Sequence, residues 1–424
     1  MASSPYYITF NFPERYIRSG KERLTIQFKV NYLGDDLNIT DPSAYGVRLL
    51  STGTVDESYE LDEFTLVSGE FSFTLYDYQG LIRNYLFSDE WWVLEKTGRV
   101  TYEINADGTW RTEFDGYIQP ESVLANIRNP IIEITAGPRT DILNNTALWD
   151  GETPLNPLGY MEELYYPIND VITDIYNYVL TSPELKIYQE WAFHAVRNPE
   201  DPATIVSDIS FDQIHLSAED YFFNPNYKFM SFGELLKSLA FELGCFTGVI
   251  NNKAYFRQLF ATQENLILPL DNHLVIDGDY LYQDIAAFVK ITDRFQLNYL
   301  NGNYTPISSQ KIDKSICWYI NDVSPTQLYG TWYYYKDGTT GWLPVYGVNT
   351  PVLNTNPRYL ASYLSDYYWK YRGDYKNSKV IELQLAGTDY KMEYDYLWKG
   401  FKLHPYSIQK NFKANKTTVK MLFI

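Results

Sequence analysis

The residue types that could do chemistry are scattered along this chain. His194, His215, His273 and His404 show neither HExxH nor any other i, i+4 pairing. A zinc site would need tertiary contacts alone, so each reads as an ordinary surface or hydrogen-bonded imidazole. No GxSxG encodes a nucleophile elbow. Neither GxxxxGK[ST] nor GxGxxG occurs, which removes the backbone nest that cradles a nucleotide pyrophosphate. Asp271, Asp277 and Asp279 offer the oxygens a hard cation needs, but the calcium loop that closes on a Glu is missing and a turn is expected. Two acid pairs, Glu162 with Glu163 and Asp389 with Glu393, resemble those that cleave glycosides, where separation in space decides the chemistry. Among 53 acids such neighbours arise anyway. No catalytic residue, metal ligand or cofactor site is assigned, and the expectation is a protein that is not an enzyme.

Binding residues are more abundant. The chain carries 40 Tyr, 23 Phe and 10 Trp, with runs at Trp91-Trp92, Trp332 to Tyr335 and Tyr367 to Trp369. Such rings can stack on sugars or bases, or fill cores and subunit interfaces. The clearest charge feature is the end of the chain. Tyr396 to Ile424 holds Lys399, Lys402, Lys410, Lys413, Lys416 and Lys420 and no acid, so removing these six positive charges takes the net charge from -18 to -24. These lysines are the candidate interface or lumen-facing residues: a basic hairpin on an acidic body can touch an acidic partner or passing DNA, or be a solvated strand face.

The elements that must position these residues follow from composition and periodicity. With 424 residues, 45% of them hydrophobic, the chain is long enough for about three domains with real cores. The acidic balance opposes indiscriminate binding to nucleic acid or anionic lipid. Cys245 and Cys317 form neither a disulfide framework nor a CxxC motif. No export signal or membrane span is expected, and the sequons at Asn38, Asn144, Asn303 and Asn415 read as chance matches.

From Tyr6 to Ala136 the pattern is strand-like, with Phe71, Phe73 and Leu75 alternating and an Asn105-Ala-Asp-Gly108 turn. Arg139 to Trp149 reads as a short helix. Ile168, Val171, Ile172, Ile175 and Val179 then fall on one helical face. Ser231 and Glu234 form a capping box ahead of Leu235, Leu236, Leu239 and Leu243, and a hairpin around Asn251-Asn252 follows, with Gly244 stopping the helix. Strand patterns return at Val289 to Tyr299, Ser315 to Ile320, a Tyr333 to Trp342 hairpin, Lys379 to Leu385, Tyr406 to Phe412 and Lys416 to Phe423. One more helix is expected near 357–372 behind Asn356-Pro357. The reading is α+β, mainly β: a β-barrel domain at 1–138, a mixed α/β domain at 139–286 with helices near 168–181 and 231–244, and a second β-barrel domain at 287–424. Phe114 to Arg128 and Trp398 to Lys413 share a pattern of aromatic, charged, Gly, aromatic, then Pro-x-Ser, which suggests two copies of one barrel type.

The order of these features resembles the central hub proteins of phage tails and related contractile injection machines. The resemblance is carried by Gly69 to Asp77, Phe114 to Ile118, Ile132 to Gly137 before a short helix, Ser231 to Arg257, and the last strands from Tyr406 to Phe423. It implies a virion protein of the tail tip or baseplate, made in the host cytoplasm. It implies a homotrimer of two tail-tube-like antiparallel barrels per chain, forming a pseudo-sixfold ring. The implied partners are the tail tube or distal tail protein, the tape-measure protein and a spike or tip protein, with DNA passing through or near the lumen. Lys186 to Pro225 looks like an insertion relative to that pattern, and no peptidase or lysozyme-like domain is appended. The alternative reading is a carbohydrate-binding or glycoside-cleaving β-rich protein.

Overall fold

The structure is a computed structural model. It describes residues 6–30, 36–60, 65–87, 98–125 and 267–282, 128–258 apart from short stretches, strand segments only between 289 and 347, and 379–423. The expected helix near 357–372, the aromatic runs at Trp91-Trp92 and Tyr367 to Trp369, Trp332, Glu163 and Gly244 lie outside the described residues.

Strict alternation builds the amino-terminal region. Ile8 and Phe10, then Leu24, Ile26 and Phe28, then Val100, Tyr102 and Ile104 are buried, while the intervening residues face outward. The strands that result pair in one open run. Leu37–Ile39 lies beside Tyr6–Asn11, followed by Gly20–Val30, Arg99–Asn105, Trp110–Ile118, Ile131–Gly137, Thr65–Asp77 and Val47–Glu60. The run then crosses to the end of the chain: Val47–Glu60 pairs with Phe401–Asn411, and Lys416–Phe423, Lys379–Ala386 and Val275–Tyr282 follow in order. Among the described residues no ring of strands closes on itself.

The middle of the chain adds helices as the periodicity predicts. Helix Ile168–Val179 buries Ile168, Val171, Ile172, Ile175, Tyr176 and Val179. Helix Phe232–Glu242 begins on the reciprocal cap: Ser231 N donates to Glu234 Oε2 at 2.8 Å and Glu234 N to Ser231 Oγ at 3.2 Å. Cys245–Ile250 and Lys253–Gln258 form the hairpin, with Asn251 at φ +50° in its turn. Part of the expected insertion is regular structure: Glu184–Tyr188 adds in parallel to Lys253–Gln258, and Phe193–Val196 pairs with both Ile205–Ile209 and Gly341–Gly347.

Two apolar clusters result. One joins Phe10, Ile26, Phe71, Tyr102 and Ile132 with a single late residue, Phe412. The other joins Ile172, Leu239 and Phe256 with Leu383, Val419 and Met421 from the end of the chain. The two repeat-like segments diverge locally. Gly116 lies within strand Trp110–Ile118, where a Cβ would collide with the Gly137 carbonyl oxygen. Gly400 instead turns the chain between Asp395–Trp398 and Phe401–Asn411, with Lys399 and Gly400 both at positive φ. One glycine permits close strand approach and the other permits reversal, so similar residue strings serve different backbones.

Removing the helix cap tests this local reading. Ser231→Ala is expected to cost about 1 kcal/mol and Ser231→Gly only a few tenths, read as the shift in urea midpoint.

Candidate functional site

The carboxyl-terminal hairpin carries two side chains across to the amino-terminal strands. Ile408, Lys410 and Phe412 alternate inward. Phe412 enters the amino-terminal core, edge-on to Tyr102 with ring centroids 5.6 Å apart, and its carbonyl accepts the Ser19 hydroxyl at 2.7 Å. Lys410 is buried two residues earlier. Its Nζ lies 3.5 Å from Glu57 Oε1 and 3.4 Å from Glu113 Oε2. Glu57 comes from Val47–Glu60, the strand that pairs with Phe401–Asn411, and Glu113 from Trp110–Ile118.

The hairpin of the middle region completes the site. The Asn251 side chain grips the Glu113 strand twice, donating from Nδ2 to the Glu113 carbonyl and accepting the Asp115 N–H, each at 3.0 Å. Tyr255 donates to Glu393 Oε2 at 3.4 Å, and Arg257 Nη1 donates to the Glu393 carbonyl at 3.1 Å. Between these parts lies a cavity of about 310 Å³ lined by Glu57, Glu113, Tyr255, Asp389, Glu393 and Lys410. A second cavity of about 460 Å³ shares Arg111, Glu113 and Asp389 with it.

The electrostatics follow from counting charges around one buried ammonium. Burial raises the Glu57 carboxyl above its ordinary pKa; Lys410 pulls it down, while Glu113 and Glu393 push it further up. Burial by itself lowers the Lys410 pKa, yet Glu57 and Glu113 outweigh that cost and leave it raised. One ammonium cannot fully neutralise two carboxylates, which is why both directions hold together. These acids are engaged in ion pairing, and the arrangement works as an electrostatic joint. Glu393, one of the acids singled out by sequence, lines the cavity and holds Tyr255, while Asp389 stands at the surface 3.6 Å from Arg111. Glu57 and Glu113 carry no sequence motif. The signal that would have found the joint is Lys410 itself, a lysine on the inward register between Ile408 and Phe412.

The six lysines do not form one basic face. Lys402 lies 3.7 Å from Asp395 and Lys420 3.5 Å from Glu382, while Lys410 is interior. Lys399 sits over the Trp398 ring at 4.1 Å. Lys413 is exposed and Lys416 half-buried at the hairpin turn. For three of the six, the acidic partner is the chain itself.

The remaining sequence candidates are placed apart. His404 is buried with Nδ1 2.6 Å from Asp395 Oδ1, His215 Nδ1 is 2.9 Å from the Gln213 carbonyl oxygen, and His273 is exposed; the His194 side chain lies outside the described residues. Cys245 is buried and its thiol pKa is raised by that burial. Asp271, Asp277 and Asp279 are exposed, and among the described residues no group of three or more His, Cys, Asp or Glu is arranged to hold a metal ion. No helix among them is long and apolar enough to cross a membrane.

No family model matches this chain, and no curated protein matches it. Solved structures similar to it include two tail proteins. The 43 kDa tail protein of prophage MuSo2 from Shewanella oneidensis is 10% identical, with a TM-score of 0.44 over 89% of this chain and 96% of that one. The tail protein from Neisseria meningitidis MC58 is also 10% identical, with a TM-score of 0.39 over 89% of this chain and 95% of that one. At 10% identity the function of this chain has to be argued from its own residues.

Lys410→Met leaves Glu57 buried without its cation and is expected to cost about 3–5 kcal/mol near neutrality. Glu57 binds a proton more readily folded than unfolded, so this loss should shrink as pH falls toward the ordinary carboxylate range. Denaturant midpoints at neutral and mildly acidic pH check both statements.

Proposed function

We propose that this protein is a structural component of a phage tail, the hub of its tip or baseplate. In this reading three copies form a pseudo-sixfold ring, each contributing two tail-tube-like β domains. The ring joins the tail tube or distal tail protein to the spike or tip protein, with the tape-measure protein and the DNA path at its centre. One observation carries the reading: the order of elements behind the family resemblance is the order in which the chain folds. Strand Ile131–Gly137 leads into helix Thr140–Asn145, the capped helix Phe232–Glu242 into the hairpin ending at Gln258, and the chain closes on its last hairpin. The site supports the same reading, because its buried carboxylates hold strands together. A part that works by shape needs rigid joints and extensive contacts between copies.

Within this proposal the hairpin turn is the basic contact. Lys413 and Lys416 face a neighbouring subunit or the lumen, whereas Lys402, Lys410 and Lys420 are engaged within the chain.

The test is absolute mass in solution by light scattering coupled to size exclusion. The expected value is three times the 49.6 kDa of one chain, followed by rings in electron micrographs. A monomer that binds glycans would overturn the hub in favour of the carbohydrate reading. Lys413→Glu combined with Lys416→Glu is expected to lower the assembled mass at an unchanged melting temperature; an unaltered assembly would remove these lysines from the interface.

A further inference from the structure

The joint between the hairpin and the amino-terminal strands is charged where a core would ordinarily be apolar. Four register pairs link Val47–Glu60 to Phe401–Asn411: Ser58 with Ser407, Glu57 with Ile408, Asp56 with Gln409 and Val55 with Lys410. Glu57 and Lys410 are therefore diagonal neighbours on the buried face of two adjacent strands. Phe412 is the one apolar residue that the hairpin adds to the amino-terminal core. Most of what fixes this part of the hairpin is therefore backbone pairing, one ring and one ammonium.

The groups facing that ammonium come from every element packed around it. Strand Trp110–Ile118 supplies Arg111 and Glu113, and the middle hairpin supplies Lys253 and Tyr255, with Arg257 close by. The 387–394 segment supplies Asp389, Lys391 and Glu393. The other cations are engaged elsewhere. Arg111 pairs with Asp107 and lies 3.6 Å from Asp389, Lys253 is 3.7 Å from Glu184, and Lys391 sits 5.5 Å from the Tyr394 ring centre. Lys410 is left to balance Glu57 and Glu113, with Glu393 on the same cavity. With Glu57 and Glu113 both ionised, the single Lys410 ammonium leaves one negative charge in excess, and Glu393 adds to it; a proton on Glu57 lowers that excess.

We propose that Glu57, Glu113 and Lys410 form a proton-sensitive clasp that locks the carboxyl-terminal hairpin to the amino-terminal strands, tight when Glu57 carries a proton and looser when it is ionised. The sign follows from linkage. A carboxyl whose pKa is raised on folding stabilises fully below its unfolded value, and that contribution is lost as pH rises through the folded value. The raised Glu57 fits this direction. Lys410 keeps its charge throughout, because its own raised pKa lies further up the scale. The clasp therefore loosens as pH rises above the ordinary carboxylate range and not at the acid end. The cavity beside it gives solvent protons a route to the carboxylate.

Hydrogen exchange of the full chain, read by mass spectrometry and corrected for the intrinsic rate at each pH, tests this. Peptides covering 401–416 and 53–58 are compared with helix Ile168–Val179 as an internal reference. The expected result is several-fold greater opening of the clasp peptides at neutral than at mildly acidic pH, with the reference helix unchanged. Glu57→Gln, which keeps the shape and removes the titration, is expected to flatten this dependence. The same pH dependence in Glu57→Gln, or none in the unaltered protein, would overturn the proposal.

Discussion

The structure depends on one lysine held where no lysine is stable alone. Removing an ammonium from water costs several kcal/mol, and that cost is offset only by good geometry to opposite charge. Lys410 has Glu57 and Glu113 on two different strands. Neither strand can shift without losing a contact to that ammonium, so the lysine fixes the positions of three strands at once. The second consequence is order along the chain. Glu57 and Glu113 precede Lys410 by hundreds of positions, so the joint can form only after the hairpin that carries Lys410 has folded onto the earlier strands.

Burial of charge recurs beside the joint in a form that reaches the amino-terminal core. Glu22 is buried, with Arg15 Nη2 at 2.5 Å, and it accepts from Thr52 Oγ1 at 2.9 Å and Tyr102 OH at 2.8 Å. Every partner of that carboxylate sits on a strand of the same sheet, so the group is satisfied where it is made. The Tyr102 ring then stacks on Phe71 at 4.5 Å and meets Phe412 edge-on. A continuous path of contacts thus runs from Glu22 through Tyr102 to Phe412, and two residues back along the chain to Lys410. The joint is the end of that path, where polar satisfaction passes from one region of the fold to another.

How much of this was legible depended on the range of each interaction. The capping box at Ser231 and the stripe from Ile168 to Val179 are local, since each residue's partner lies within a turn or two, and both folded as written. The Asn105 to Gly108 turn and the Asn251 turn were local for the same reason. The shared pattern at Phe114 and Trp398 sits on two different backbones because a glycine string does not say whether the glycine allows a reversal or a close approach. That depends on what lies across the strand, here the Gly137 carbonyl. The partners of Lys410 were out of reach of any spacing rule, because register between distant strands is set by the whole sheet. What could be read was the oddity, a lysine on the inward side of an apolar alternation.

The engaged lysines also change what the end of the chain can hold. As a string, Tyr396 to Ile424 is a uniformly basic segment. As a folded hairpin, its charge is divided among the interior site at Lys410, partly exposed pairs at Lys402 and Lys420, Lys399 over the Trp398 ring, and the turn at Lys413 and Lys416. Affinity for a polyanion grows with the number of phosphates that can be neutralised together, since each releases counterions. A turn with two accessible lysines on a chain of net charge -18 therefore offers little grip on DNA. For a part proposed to stand around a DNA path this is the favourable condition, because a lumen that bound its cargo would slow it. The same sparse charge suffices to orient an acidic neighbour, where a few contacts at a defined turn set direction while buried area supplies affinity.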